Sequence, residues 1–425
     1  MDATAAQSRD GSKAKRSAPK RRAPRTRTAG AAKKLLTARD FDYLGCFRVP
    51  PEMGGWPAGG LALREGPGGT KTFFTLGTLR DQYPVFELAM PAALGPNVAS
   101  AQVATVVKAW GSEIYGGARQ LPNAPAKAKA ETHGLFWDQD RLYIAYDKYY
   151  HVDPTEYPTL LFSTITSGGA RTYGPWFTTL PGHQTCGYFV RVPDWFAEAY
   201  TGGRTLAVGA GRTSGGTSSS YGPSLVAVET PDEGKPALSK LRATSMLFYP
   251  MEHRCPRDPD YSPLSDVQKK HSTLPPANGV GWWTNIDLAE ACAWIDLPDK
   301  HGLLFFGMLA QGKVWYGNSP DVATGAVDPA SANRGQHAER RVPRWWIYDP
   351  MELAGVLSGA TPSWQVQAKE TFAPSGAAHS RMNRCNGAAF DADTSTLYLC
   401  YPDAEFEPER YSRSVVHAWK VRAKD

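Results

Sequence analysis

The chain has no run of roughly 18 apolar residues, so no stretch of it has the length and hydropathy of a membrane-spanning helix. Its six cysteines (Cys46, Cys186, Cys255, Cys292, Cys385 and Cys400) form no CxxC pair and no zinc spacing. No two histidines share helical ligand spacing, so neither a metal nor a cofactor is expected. The Gly-x-Ser-x-Gly elbow and the His-Glu-x-x-His helix are both missing. Gly307-x₄-Gly312-Lys313 imitates a phosphate loop, but Val314 replaces the required hydroxyl residue and a strand precedes a loop rather than a helix. Gly209-x-Gly211 lacks a third glycine and a following helix. Nucleotide-loop chemistry is thereby excluded. Asn318-Ser319 does not complete a glycosylation acceptor, and no other asparagine does.

Charge of one sign is concentrated at one end. Residues 1–40 hold 12 of the 47 Lys/Arg and 3 of the 41 Asp/Glu, which leaves the remainder slightly acidic at 35 against 38. The tail interleaves its cations with Ala, Pro and Thr and has no apolar core, so it does not fit a secretory signal. Its composition predicts a disordered arm over residues 1–40, followed by one domain over 41–425. Lys13 to Lys34 supply the groups to neutralise phosphates, so a nucleic acid or other polyanion is an expected partner. Cytoplasmic or virion-associated placement is expected over secretion.

What the sequence has in abundance is aromatic residues, with 13 Trp, 19 Tyr and 16 Phe, and a repeated phrase. Thr72–Gly77, Leu142–Asp147, Thr205–Ala210, Leu303–Met308 and Thr396–Tyr401 are short apolar runs bounded by turn residues. They are too brief for helices, and their make-up predicts strands buried on both faces. A unit of this kind cannot bury its surface alone and must stack on copies of itself.

Around each run a four-stranded unit can be parsed. The fourth unit takes Trp364–Ala368 as its last strand, and the fifth ends at Val415–Val421, one strand short. Tyr43–Pro50 lies spare at the other end of the chain. Pairing the two removes the open edge. The expected fold is therefore all-β: a five-bladed β-propeller of four-stranded antiparallel blades, with an N-terminal strand closing the last blade. Asp194 can cap a short helical turn ended by Gly202-Gly203, and a helix is expected from Asp349-Pro350.

Excess length gathers in the connections of one face, among them 111–133, 250–290 and 310–344, which marks that face for binding. Seven of nine histidines fall there: His133, His151, His183, His253, His271, His337 and His379. Residues just before each inner strand (Gly59, His133, Cys186, Glu290 and Asn386) converge on a central funnel. Glu131, His183 and Arg384 lie close in sequence. Arg212 and Tyr221 share the crowded side, as do Tyr149, Trp56 and Trp282. A satisfied polar plug on the axis would use the same residue types.

The blade phrasing and the lone closing strand resemble five-bladed propellers, a group that includes glycosidases, polysaccharide lyases and lectins. Phe41-Asp42-Tyr43-Leu44-Gly45-Cys46-Phe47-Arg48-Val49-Pro50, followed by Gly59-Gly60-Leu61-Ala62-Leu63, looks like the opening of uncharacterised bacterial and phage propeller proteins. The resemblance implies a glycan as ligand. Hydrolase members carry an acid at the head of the first inner strand, where Gly59-Gly60 stands here, so the carboxylate pair of glycoside hydrolysis is not recognisable. Eliminative cleavage of an acidic glycan suits the residues better. His133 or His183 would be base, Tyr221 acid, and Arg212 or Arg384 the carboxylate clamp. Trp56 and Trp282 would be sugar platforms, with Glu131, Asn386 and Tyr149 in binding. A glycan-binding or structural propeller without catalysis is the competing expectation.

Overall fold

The computed structural model describes residues 33–53, 60–66, 69–77, 84–110, 114, 130–148, 156–211, 220, 222–250, 283, 287–316, 336–377, 384–407 and 410–423. After two edge pieces, β1 (Lys34–Leu35) and β2 (Phe41–Arg48), strands fall into five sheets. Blade 1 is β3 (Leu61–Glu65), β4 (Lys71–Leu76), β5 (Val85–Ala89) and β6 (Thr105–Ala109). Blade 2 is β7 (Ala130–Asp138), β8 (Arg141–Lys148), β9 (Leu160–Thr166) and β10 (Gly169–Thr178). Blade 3 is β11 (Phe189–Arg191), β12 (Leu206–Val208), β13 (Leu225–Val228) and β15 (Ala243–Leu247), while β14 (Lys240–Leu241) pairs in parallel with β10. Blade 4 is β16 (Leu288–Asp296), β17 (Lys300–Tyr316), β18 (Gln336–Tyr348) and β19 (Glu370–Phe372). Blade 5 is β20 (Gly387–Asp391), β21 (Thr396–Glu407), β22 (Arg410–Val421) and, from the other end of the chain, β2. The molecule is a five-bladed β-propeller.

The ring is closed by β2 running antiparallel to β22, in register from Phe41↔Val421 to Arg48↔Val415 with a bulge between Tyr43 and Gly45. The five inner strands touch in cyclic order: β3, β7, β11, β16, β20 and back to β3.

The second strands explain why the blades stack. Alternate side chains of a strand point to opposite faces, so a continuous apolar run serves two neighbours at once. Phe74 packs with Leu142 and Ile144 between blades 1 and 2, whereas Phe73 packs with Tyr398 and Cys400 between blades 1 and 5. Tyr143 faces Val208 across blades 2 and 3. Ala207 joins Leu303 and Phe305 across blades 3 and 4, and Leu304 joins Leu397 and Leu399 across blades 4 and 5. Five clusters fill five interfaces. At about 25 cal/mol per Å² of apolar surface, such interfaces are the main stabilising term of the fold.

Several expectations are corrected. The last strand of blade 4 is β19, not Trp364–Ala368; Pro362 opens a 3-10 turn over Ser363–Gln365 instead. The stretch 310–344 is not all loop, because the β17–β18 ladder continues to Tyr316↔Gln336. Asp194 starts a short helical segment without a side-chain cap, and Gly202 ends it at φ 65°. The helix expected at Asp349 is present as α1 (Pro350–Leu357), with Asp349 Oδ1 accepting from the Met351 amide.

Residues before 41 also pack against the body. Lys34 and Leu35 pair with Lys300 and His301, Leu36 is fully buried, and Asp40 binds the buried Lys300 at 2.7 Å. Residues 33–40 are thus part of the domain, and residues 1–32 lie outside the described residues.

The inner strands meet closely enough to require glycine. A Cβ on Gly134 would lie 1.9 Å from the Gly187 carbonyl oxygen, and one on Gly60 (φ 85°) would lie 2.9 Å from Leu135. Backbone cannot yield as a side-chain tip can, so Gly134→Ala is expected to cost about 3 kcal/mol, the upper end for overpacking. The urea midpoint should fall accordingly, while Gly168→Ala, whose nearest neighbour is 3.8 Å away, should leave it unchanged. An unaltered midpoint for Gly134→Ala would contradict this blade contact.

Candidate functional site

Strands within a blade are antiparallel, so the heads of all five inner strands lie at one end of the axis. Each junction between them is tight. The Gly60 amide donates to the Asn386 carbonyl at 3.0 Å, joining blades 1 and 5. Gly134 approaches Gly187 between blades 2 and 3, and Gly211 approaches the Ala289 carbonyl between blades 3 and 4. Blades 4 and 5 are joined by an ion pair. Arg384 Nε donates to Glu290 Oε2 at 2.5 Å, and Nη2 donates to Oε1 at 2.6 Å.

Two of the strand heads carry a bulge. His133 is the extra residue between the pairs Thr132↔Tyr146 and Gly134↔Ala145. Glu290 is the extra residue between Ala289↔Gly307 and Ala291↔Phe306. A bulge breaks the alternation and re-aims a side chain, a device common beside functional sites. His133 is half-buried there. Asn386, the equivalent residue of blade 5, donates its amide to the Cys400 carbonyl at 3.1 Å. Its side-chain oxygen is enclosed with no partner among the described residues.

The expected site residues therefore divide. His133, Glu290, Asn386 and Arg384 belong to the same ring of strand heads. Glu131 lies two residues upstream in β7, opposite Asp147; its side chain is outside the described residues. His183 sits in a 3-10 turn over Gly182–Gln184 and is 3% exposed. Trp56, Tyr149, Arg212, Tyr221 and Trp282 lie outside the described residues, as do His151, His253, His271 and His379.

Cys186, the strand-head residue of blade 3, is buried and its thiol donates to Asp147 Oδ2 at 3.6 Å. Burial pushes the thiol well above its usual pKa, and the neighbouring Asp147 carboxylate adds to the shift. Enclosed and donating to a carboxylate, it has the surroundings of a structural thiol rather than a reactive one. Tyr157 is held up first by burial and then by Cys186 and Asp147. Asp147 was not among the expected residues. Its signal is a carboxylate directly ending the buried Leu142–Tyr146 run.

The opposite end of the axis opens into a cavity of 990 Å³ walled by all five inner strands. Phe136, Trp137, Phe189, Trp294 and Phe390 line the wall. Among the described residues, the charged groups lining it are Glu65, Asp138, Asp140, Asp194, Glu198, Asp296 and Arg191. Arg191 Nη1 donates to both Asp138 oxygens at 3.0 Å, and Nη2 donates to Asp194 at 2.9 Å. Burial raises the Asp138 carboxyl above its ordinary value, and Arg191 only partly offsets this. Nearby, ligand atoms of Glu65, Asp391 and Asp393 come within 4.8 Å of one another. Lys71 Nζ is 2.6 Å from Asp391 and 3.6 Å from Asp393, so that cluster already holds a cation.

Burial alone would raise the Asp391 pKa. Hydrogen bonds from Lys71 and from the Thr394 hydroxyl and amide outweigh it, and the carboxyl is held below its ordinary value. A depressed folded pKa contributes stability that is fully present above the unfolded value, about 3.9, and is lost as pH falls through the folded one. The stability gap between the wild type and Asp391→Asn should therefore shrink below about pH 4. Urea titrations across that range check it, and a gap independent of pH would contradict the Lys71 pairing.

No family model matches the chain, and no curated protein matches it. Among solved structures, it is similar to the PQQ-bound form of aldose sugar dehydrogenase from Streptomyces coelicolor, at 13% identity and a TM-score of 0.31, over 92% of this chain and 98% of that one. A likeness that distant carries no statement about activity or cofactor.

Proposed function

We propose that this propeller takes an acidic glycan at the strand-head end of its axis, and that elimination at a uronate is the reaction its residues serve. One observation carries the reading. The ring of strand heads combines a forked guanidinium–carboxylate pair, Arg384 with Glu290, a half-buried His133 and an unfilled Asn386 oxygen, with His133 and Glu290 on strands and Arg384 and Asn386 just before β20.

The Arg384 side chain is 42% exposed, against 17% for Glu290. A uronate carboxylate presents the same pair of oxygens as Glu290 and would compete with it for the guanidinium. The Asn386 oxygen would accept from a sugar hydroxyl. Of the five equivalent positions, Glu290 alone carries a carboxylate. Hydrolysis with two opposed carboxylates therefore finds less support here than elimination.

In that reaction a base removes the C5 proton, the C4–O bond breaks, a C4=C5 double bond forms, and an acid protonates the departing oxygen. His133 is the better-placed base, since His183 is enclosed. Tyr221 is the proposed acid, with Arg212 a second carboxylate clamp. The sugar platforms Trp56 and Trp282, and the contacts from Tyr149 and Glu131, are proposed on the same side. No metal or cofactor enters the scheme.

The test is incubation with polyuronates and uronate-containing glycans while following the ultraviolet absorbance of the unsaturated product. His133→Ala should lower the rate by about 10²-fold or more, as for a lost general base. Arg384→Lys should raise KM more than it lowers kcat, because a point charge replaces the fork. Saturable binding without product would leave a glycan-binding propeller. Neither binding nor product across acidic glycans would contradict the proposal.

A further inference from the structure

The cavity at the turn end of the axis has no part in the function proposed above, and its chemistry is distinct. It is aromatic-walled and lined by carboxylates. We infer that this cavity is the docking site for the chain's own basic arm, residues 1–32, whose lysines and arginines seat against its acidic mouth and aromatic wall.

Three observations on the described residues point to that occupant. The first is the exit point. The Lys34 amide donates to the Asp299 carbonyl and the Leu36 amide to the His301 carbonyl, both at 2.9 Å, which pins the chain against the turn between β16 and β17. Lys33, the residue that follows the arm, therefore lies beside the cavity, paired with its lining residue Asp296.

The second is a cation already in place. Lys33 pairs with Asp296, and its ammonium lies 6.0 Å from the centre of the Trp195 ring. Asp296 and Trp195 both line the cavity, and Trp195 itself donates to Asp296 at 3.1 Å. The last described residue before the arm thus uses the carboxylate and aromatic contacts that the remaining cations would repeat.

The third is complementarity. Residues 1–32 carry nine Lys/Arg and two Asp, while the cavity is lined by six acidic residues and one basic. Trp294 on the wall is 7% exposed, and its indole N–H is enclosed with no acceptor among the described residues. Reach is not limiting, since a dozen extended residues span about 40 Å.

This assignment changes what the arm does. A polyanion would compete with the cavity for it, so arm and cavity form an intramolecular pair that a nucleic acid or acidic polymer opens. The linkage is independent of the strand-head site, and either reading can fail without the other.

The experiment uses the full chain. An equal mixture of isotopically light and heavy protein is treated with a zero-length carbodiimide at low salt, and cross-links are mapped by mass spectrometry. Links from Lys13, Lys15 or Lys20 to Asp140, Asp194 or Glu198 within chains of one isotope are expected. In parallel, tryptic cleavage at Arg21 to Arg27 is timed in the wild type and in an Asp140→Asn, Asp194→Asn, Glu198→Gln variant. All three side chains are exposed, so the variant should keep the wild-type melting profile. Its arm should be cut roughly tenfold faster, the difference vanishing at high salt. Equal cleavage rates without arm cross-links would overturn the inference. Links found only between light and heavy chains would overturn it as well, by assigning the cavity to another copy's arm.

Discussion

The structure depends on one ladder of hydrogen bonds, the antiparallel pairing of β2 with β22. Without it, blade 5 would end at an unpaired edge and blades 1 and 5 would lose the packing of Phe47 against Phe73 and of Val416 beside it. Closure brings together segments more than 360 residues apart, an ordering that local contacts cannot accomplish. Burial sustains it: Cys46, Phe47, Val415, Val416 and Trp419 are fully enclosed. The segment before β2 adds a second lock, in which Lys300 and Asp40 pair at 2.7 Å in near-complete burial. Such a pair is expensive to break because one charge is then stranded.

Closure gives the axis two unlike ends. At the strand heads, glycines let the backbones meet, and bulges set His133 and Glu290 apart from the regular pleat. Among the described residues that end carries His133, Glu290, Arg384 and Asn386, polar groups that suit recognition of a small charged group. At the turn end, the inner strands wall a 990 Å³ space with aromatic walls and an acidic mouth. The chain's own positive charge is tethered next to that mouth through Lys33. One scaffold thereby separates a proposed glycan site from a proposed seat for the basic arm.

The blades were legible in the sequence because their second strands are buried on both faces, which forces continuous apolar runs such as Leu303–Phe306. The spare Tyr43–Pro50 strand followed from counting. Trp364–Ala368 misled because an aromatic stretch after Pro362 has strand composition, yet the proline opens a 3-10 turn; the actual β19 is half-buried and lacks a strong pattern. The packing of residues 33–40 onto the body was hidden because Leu35-Leu36 is a short apolar signal inside a basic run. At the site, the strand-head alignment placed Glu290, His133 and Asn386 on one ring, and Arg384 close to it. It could not show that Arg384 grips Glu290, a pair separated by 94 positions. The turn-end cavity had no signal of its own, since each strand contributes only a few ordinary residues and the space exists only once five of them meet.

Hydrogen exchange followed by mass spectrometry tests the closed ring most directly. Peptides covering 41–48 and 415–421 should both fall in the slowest-exchanging class and should lose protection together as denaturant is raised. Rapid exchange across 41–48 with 415–421 still protected would mean that the ring is open, and the account of both axial ends would fall with it.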